Sequence, residues 1–253
     1  MKDQGDPPGN GQGFGRGMTL YAGETEKEKI CVLACRTLSP ELELVMKAAE
    51  STLPVYYVDS GKHLCSDRLR ESIQEGIDVM PSEYGTVLLL FGFCGNAMVG
   101  VKSGARQLVL PKSADCIPIF LGSQEERNRY GTRRYFFTEG YLRAEANPAA
   151  DYAHLVEKYG EENARKVMRE MLNHYENLSV VDTGAFDVAS VESAIAGLSA
   201  ITEIPVDVLP GDLRLIRMLV TGDWPPGEFF VFDPGTEITL GDSLSFQSIS
   251  QVG

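Results

Sequence analysis

Thr86-Val-Leu-Leu-Leu-Phe91, running straight into Gly92-Phe-Cys-Gly-Asn96, is the stretch on which the fold turns. The apolar run is too short for a buried helix, and it fits a strand covered on both faces, as strands of a parallel sheet are. The glycine-flanked loop behind it reads as a sharp exit from that strand. Upstream, Ile30-Cys-Val-Leu-Ala-Cys35 and Pro54-Val-Tyr-Tyr-Val-Asp59 have the same strand character, and downstream so does Gln107-Leu-Val-Leu-Pro111. Helical patterns separate them. Ser39-Pro40-Glu41 offers a capping hydroxyl, a proline at the first helical position and an acid in the first turn, ahead of Leu42, Val45, Met46 and Ala49 at helical spacing. Ser66 to about Met80 is a second helix. Strands alternating with helices specify right-handed βαβ units and parallel sheets, so the expected class is α/β.

The rhythm is interrupted over residues 116–177, which read as mainly helical with one extended stretch at Tyr135-Phe-Phe-Thr138. It then resumes. Leu178-Ser-Val-Val-Asp182, a helix from Asp187 to Ile201, Pro205-Val-Asp-Val-Leu209, a helix from Asp212 to Val220, and Glu228-Phe-Phe-Val-Phe232 follow one another. The first two strands are similarly spaced in front and back, which is compatible with two similar Rossmann-like lobes around a central helical segment. The expected organisation is an N-terminal α/β lobe over 29–123, a helical middle over 124–177 and a C-terminal α/β lobe over 178–240. Residues 1–28, too poor in apolar groups to offset the entropy of ordering, are expected as a disordered tail, and 241–253 as a loose one.

Composition excludes several function classes. Hydrophobic residues make up 43% of the chain, ample for a core. No run approaches the ~18 apolar residues of a membrane span, and the first residues lack an apolar signal-peptide core, so a cytoplasmic protein is expected, with no membrane partner. A net charge of -13 argues against a nucleic-acid surface, which needs a basic stripe. The five cysteines then read as thiols and not as a disulfide framework.

In parallel sheets ligands bind outside the carboxyl ends of the strands. Cys35, Cys94 and Cys116 all fall there, so the topology predicts that they converge. Cys116 opens a helix, where unpaired backbone N–H groups are expected to lower a thiol's pKa. Three thiolates with an open fourth position would hold zinc, an iron–sulfur cluster or another soft metal. Their spacing matches no local ligand motif, and a lone cysteine more often simply packs in the core. Cys31, inside a strand, is read as core, and Cys65 as an exposed thiol.

A second chemistry is a cysteine nucleophile at Cys94. The loop Gly92-Phe-Cys-Gly-Asn96 approaches the Gly-x-Cys-x-Gly pattern, with Asn96 at the position of the last glycine, and asparagine tolerates left-handed backbone. Gly92, Gly95 and Asn96 would then line the ligand, and the Gly95–Asn96 amides would stabilise an oxyanion. Such a nucleophile wants a base. His63 is placed on a loop for that role, whereas His154 and His174 lie in helical segments. Asp182-Thr-Gly184, Pro210-Gly-Asp212 and Asp233-Pro-Gly235 suit turns and caps, with Asp182 and Gly184 as candidate contacts to polar ligand groups. Arg127, Arg129, Arg133 and Arg134 form a local excess of positive charge that could clamp a carboxylate or phosphate.

Gly92-Phe-Cys-Gly-Asn-Ala-Met-Val-Gly100, Leu108-Val-Leu-Pro-Lys-Ser-Ala-Asp-Cys-Ile117, Phe120-Leu-Gly-Ser123 and Ala34-Cys-Arg-Thr-Leu38 together resemble the domain-of-unknown-function family 1638 of methanogens and other anaerobes. The resemblance spans about residues 30–240 and carries over Cys35, Cys94 and Cys116. It implies an association with corrinoid-dependent methyl transfer in one-carbon metabolism, with a corrinoid as cofactor and a corrinoid protein or methyltransferase as partner. Ala114 stands where the family pattern leads one to expect a histidine before Asp115-Cys116, which weakens a histidine-assisted role for that loop. A non-catalytic module that carries a cofactor or escorts a methyltransferase is the third expectation.

Overall fold

The computed structural model describes residues 29–59, 65–144 and 147–247. The expected tail over 1–28, the loop residue His63 and residues 248–253 lie outside them. The described chain is an α/β fold with two mostly parallel sheets.

The first sheet contains β1 (Lys29–Cys35), β2 (Val55–Val58), β3 (Tyr84–Leu90) and β4 (Gln107–Pro111), with β8 (Phe229–Phe232), in the order β2-β1-β3-β4-β8. The first four strands are parallel, and β8 runs antiparallel to β4. β3 is buried almost throughout, as its unbroken apolar sequence requires. A 3-10 turn at Arg36–Leu38 leads from β1 into α1 (Ser39–Ala48). Ser39 is therefore already helical and does not cap the helix, contrary to the sequence expectation; no side chain caps this end. α2 (Ser66–Val79) presents Leu69, Ile73 and Ile77 to the sheet at one-turn spacing.

The second sheet is β5-β6-β7, all parallel, formed by β5 (Arg134–Phe137), β6 (Asn177–Asp182) and β7 (Val206–Pro210). Before β5 come α3 (Ile117–Leu121) and α4 (Gln124–Arg129), the latter capped by Ser123, whose Oγ accepts from the Glu126 amide. Between β5 and β6 lie α5 (Glu139–Leu142), α6 (Pro148–Tyr159) and α7 (Glu161–Leu172); α8 (Val188–Thr202), α9 (Arg214–Thr221) and α10 (Leu240–Gln247) complete the chain.

Three features differ from the sequence reading. The extended stretch in the helical middle is a strand of the second sheet, so residues 134–137 belong with the back half. The strand at Phe229–Phe232 crosses to the first sheet and covers the exposed edge of β4 instead of extending β7. Residues 241–247, expected as a loose tail, are helical, because Phe246 is buried against Phe93 and Phe230, at ring distances of 5.3 and 6.0 Å.

One apolar cluster runs from the first sheet through α1, α2 and α9 to Phe136, Val181 and Leu209 of the second. A smaller cluster, among it Phe137, Met168, Leu178, Val180 and Ile195, fills the outer face of the second sheet. The sheets meet closely: the Asp212 amide donates to the Phe120 carbonyl at 2.8 Å, and Thr183 donates to the buried Glu41 carboxyl at 3.0 Å.

Candidate functional site

The loops after β3 and β4 cross in direct contact. A Cβ on Gly92 would stand 2.2 Å from the Asp115 carbonyl carbon, so only glycine permits the crossing. The Phe93 and Cys94 amides donate to the Ser113 and Ala114 carbonyls, each at 2.8 Å, continuing the β3–β4 pairing beyond the strands. The chain then turns through three left-handed residues, Cys94 (φ 45), Gly95 (φ 66) and Asn96 (φ 67). A cysteine in this region carries backbone strain. Asn96 is held from outside, its Oδ1 accepting from Ser243 of α10 at 2.8 Å.

This geometry sets the Cys94 sulfur 3.8 Å from that of Cys116. Cys35, at the end of β1, lies behind them: it is fully buried, its sulfur is 3.0 Å from the Thr37 hydroxyl, and it hydrogen-bonds to Cys116. The structure thus brings together the three cysteines at the strand ends. Cys116 does not behave as a helix-activated thiol. The Cys35 hydrogen bond works to lower its pKa, but the hydrogen bond to Cys94, burial and repulsion from Cys94 together push it well above the ordinary thiol value. The helix it opens is only five residues long, too short to offset this. Among the described residues, no three or more His, Cys, Asp or Glu side chains are already gathered as a metal-holding group.

Cys94 and Cys116 open into a cavity of about 670 Å³. Its floor is Thr37, Cys94, Gly95, Asp115 and Cys116, from the carboxyl edge of the first sheet. Its opposite wall comes from α4, β5, α5 and the turn before β6, with Arg127, Arg134, Tyr135, Phe136, Thr138, Tyr141 and Tyr175. Arg134 is neutralised by an ion pair with Asp207 and also donates to Ser179 at 3.0 Å. Arg127 lies over the Phe136 ring, 4.7 Å from its centroid, and is in no ion pair among the described residues. The Tyr135 and Tyr141 hydroxyls are 2.6 Å apart, and burial raises both phenol pKa values. Burial also raises the Asp115 carboxyl, against the lowering effects of the Ile117 amide and Arg127.

The other sequence candidates fall elsewhere. Cys31 is core, 3.3 Å from the Met80 sulfur, and burial lifts its pKa to about 11. Cys65 is exposed just before α2. His154 and His174 are exposed and neither lines the cavity, so neither stands as a base for Cys94. Asp182 and Gly184 are also away from it: the Asp182 carboxylate accepts the Gly184 amide at 3.0 Å in a tight turn. Of the four arginines, Arg129 pairs with Glu125 and Glu126 and Arg133 with Glu176, which leaves Arg127 and Arg134 at the cavity.

The tyrosine wall was missed in the sequence. Its one signal was the aromatic run Tyr135-Phe-Phe137, read only as extended chain.

Comparison with curated proteins and with solved structures yields no match. The family model described as a protein of unknown function, DUF1638, matches residues 57–220, more than half of the chain, and the protein belongs to that family.

Proposed function

We propose that the protein binds a soft metal ion through the thiolates of Cys94 and Cys116, with Cys35 as a third ligand, and presents it to a small molecule in the adjoining cavity. The supporting observation is the 3.8 Å between the Cys94 and Cys116 sulfurs. Two sulfurs bound at ~2.3 Å to one tetrahedral centre stand about 3.8 Å apart, so the pair already has the spacing of a tetrahedron's edge. Cys35 would exchange its contact with Thr37 for the metal. Zinc suits three thiolates and one open position best, since iron–sulfur clusters are held by four protein ligands. Bound there, it would act as a Lewis acid toward a group offered from the cavity. Activation of a methyl acceptor would fit the corrinoid-dependent systems that the family resemblance implies, with a corrinoid protein or methyltransferase as partner.

Thiols must lose their protons to bind metal. The raised Cys116 pKa therefore makes zinc affinity climb with pH. Titration of protein purified without oxygen, against a chromophoric zinc chelator, is the test. The expected result is one zinc per chain, lost in Cys94→Ser and Cys116→Ser and kept in Cys65→Ser. Absence of stoichiometric zinc, iron or cobalt from the wild type, with Cys94→Ser unchanged, would end the proposal.

The left-handed backbone of Cys94 favours a second reading, a cysteine nucleophile. Rapid alkylation of Cys94 by iodoacetamide in metal-free protein, faster than at Cys65, is the outcome of the same preparation that would support it.

A further inference from the structure

We infer that the cavity takes a small carboxylate-bearing molecule with a flat apolar body, and that Arg127 holds its carboxylate. The inference rests on the reading of this cavity as the functional site, but not on the metal.

The charge pattern carries the argument. In a chain with 36 acidic and 23 basic residues, an arginine at a cavity would ordinarily find a carboxylate of the protein itself. Arg134 does, in Asp207. Arg127 does not: among the described residues no Asp or Glu comes within ion-pair distance of it. Asp115 shares the cavity and attracts Arg127 at longer range, but its Oδ1 accepts the Ile117 amide at 2.8 Å and no ion pair joins its carboxylate to the guanidinium.

Arg127 is also pre-positioned. One guanidinium nitrogen donates to the Gly131 carbonyl at 2.5 Å, and the guanidinium carbon lies over the Phe136 ring. Its remaining N–H groups form the planar fork that matches a carboxylate in a bidentate way. On the same wall, the Tyr135–Tyr141 hydroxyl pair uses one of its two protons internally and keeps the other to donate to a ligand oxygen. The rings of Tyr135, Phe136, Tyr141 and Tyr175 make the rest of that wall apolar and flat-sided, and Ile117 and Phe120 of α3 add apolar surface to the cavity. A volume of about 670 Å³ suits a small molecule of this kind.

Benzoate and its neutral isostere benzamide test the assignment, with binding to metal-free protein followed by ligand-detected NMR. Benzoate should bind more tightly than benzamide, and Arg127→Gln should weaken benzoate by about tenfold, the worth of a charge-assisted hydrogen-bonded pair, while leaving benzamide unchanged. Arg129→Gln, at an exposed arginine on the same helix, should change neither. Both probes are read on metal-free protein, so that failure of the metal reading and failure of this one are told apart. Equal affinity for the two probes, no binding of either, or indifference of benzoate to Arg127→Gln would overturn the inference. Retained thermal unfolding of Arg127→Gln would show that any loss of binding is local.

Discussion

A side chain at position 92 would have to occupy space held by the Asp115 backbone, with a Cβ 2.2 Å from its carbonyl carbon. Backbone cannot move aside as a side-chain tip does, so Gly92→Ala must part the two loops. Those loops carry Cys94 and Cys116, and the same shift lengthens the sulfur–sulfur distance. The variant should lose at least ~2 kcal/mol in denaturant unfolding, as overpacked core positions do. It should also bind zinc more weakly than wild type. Normal stability and zinc affinity would refute the crossing as what sets the thiol spacing. At this scale much of the site was legible in the sequence: parallel strands put their carboxyl ends on one edge, so Cys35, Cys94 and Cys116 had to gather there. The protonation of Cys116 was not legible, because it depends on two other sulfurs from distant parts of the chain.

Helix α1 meets the loop after β6 through the Glu41 carboxyl. Glu41 is fully buried, one oxygen accepts from Thr183 at 3.0 Å, and the other has no hydrogen-bond partner. Burial lifts its pKa from 4.5 to about 7, with Glu139 adding to the rise and Arg143, paired with Glu139 at 3.0 Å, opposing it. The folded state thus holds this proton more tightly than the unfolded chain does. Stability falls as pH rises from about 4.5 to about 7, and the penalty is fully developed above that window. At ~1.4 kcal/mol per pKa unit the loss is ~3 kcal/mol. Glu41→Gln keeps an acceptor for Thr183 without the charge. Its unfolding free energy should be flatter across that window than that of the wild type and higher by ~1–3 kcal/mol above pH 7. An unchanged pH profile would mean that the carboxyl is not the group responsible. Elements of this kind were recognised in the sequence by type, while their pairing was not. β5 has four residues between helical patterns, too few to display a period, and its parallel partner β6 begins some forty residues later, after three helices. β8 read as a strand, but nothing in Phe229–Phe232 names β4 as its partner; that follows from the open edge of β4 and from the aromatic contacts of Phe230 with Phe93 and Phe246.

The cavity has one wall from each sheet, so its shape depends on how firmly the sheets are joined. Gly140 of α5 lies so near the turn after β1 that a Cβ there would stand 2.0 Å from the Thr37 carbonyl oxygen. Gly211 is pressed in the same way against Asp182 and Phe120. The apolar cluster of the first sheet includes Phe136, Val181 and Leu209 of the second, so one face of the second sheet is buried together with the first. Shared burial of this kind couples the unfolding of both parts. Trp224, the sole tryptophan, donates its indole N–H to the Leu219 carbonyl at 2.9 Å and packs on the first cluster, which makes its fluorescence a reporter of that side. Near-ultraviolet circular dichroism adds to the Trp224 and Tyr56–Tyr84 contributions those of the tyrosines packed around Tyr135 on the other side, at wavelengths below the tryptophan bands. The two signals should follow one denaturation curve, and Gly140→Ala should shift both midpoints together to lower denaturant. If the tyrosine signal were lost first while Trp224 kept its native emission, the sheets would be separate folding units, and the cavity between them would lack the rigidity that a pre-positioned Arg127 requires.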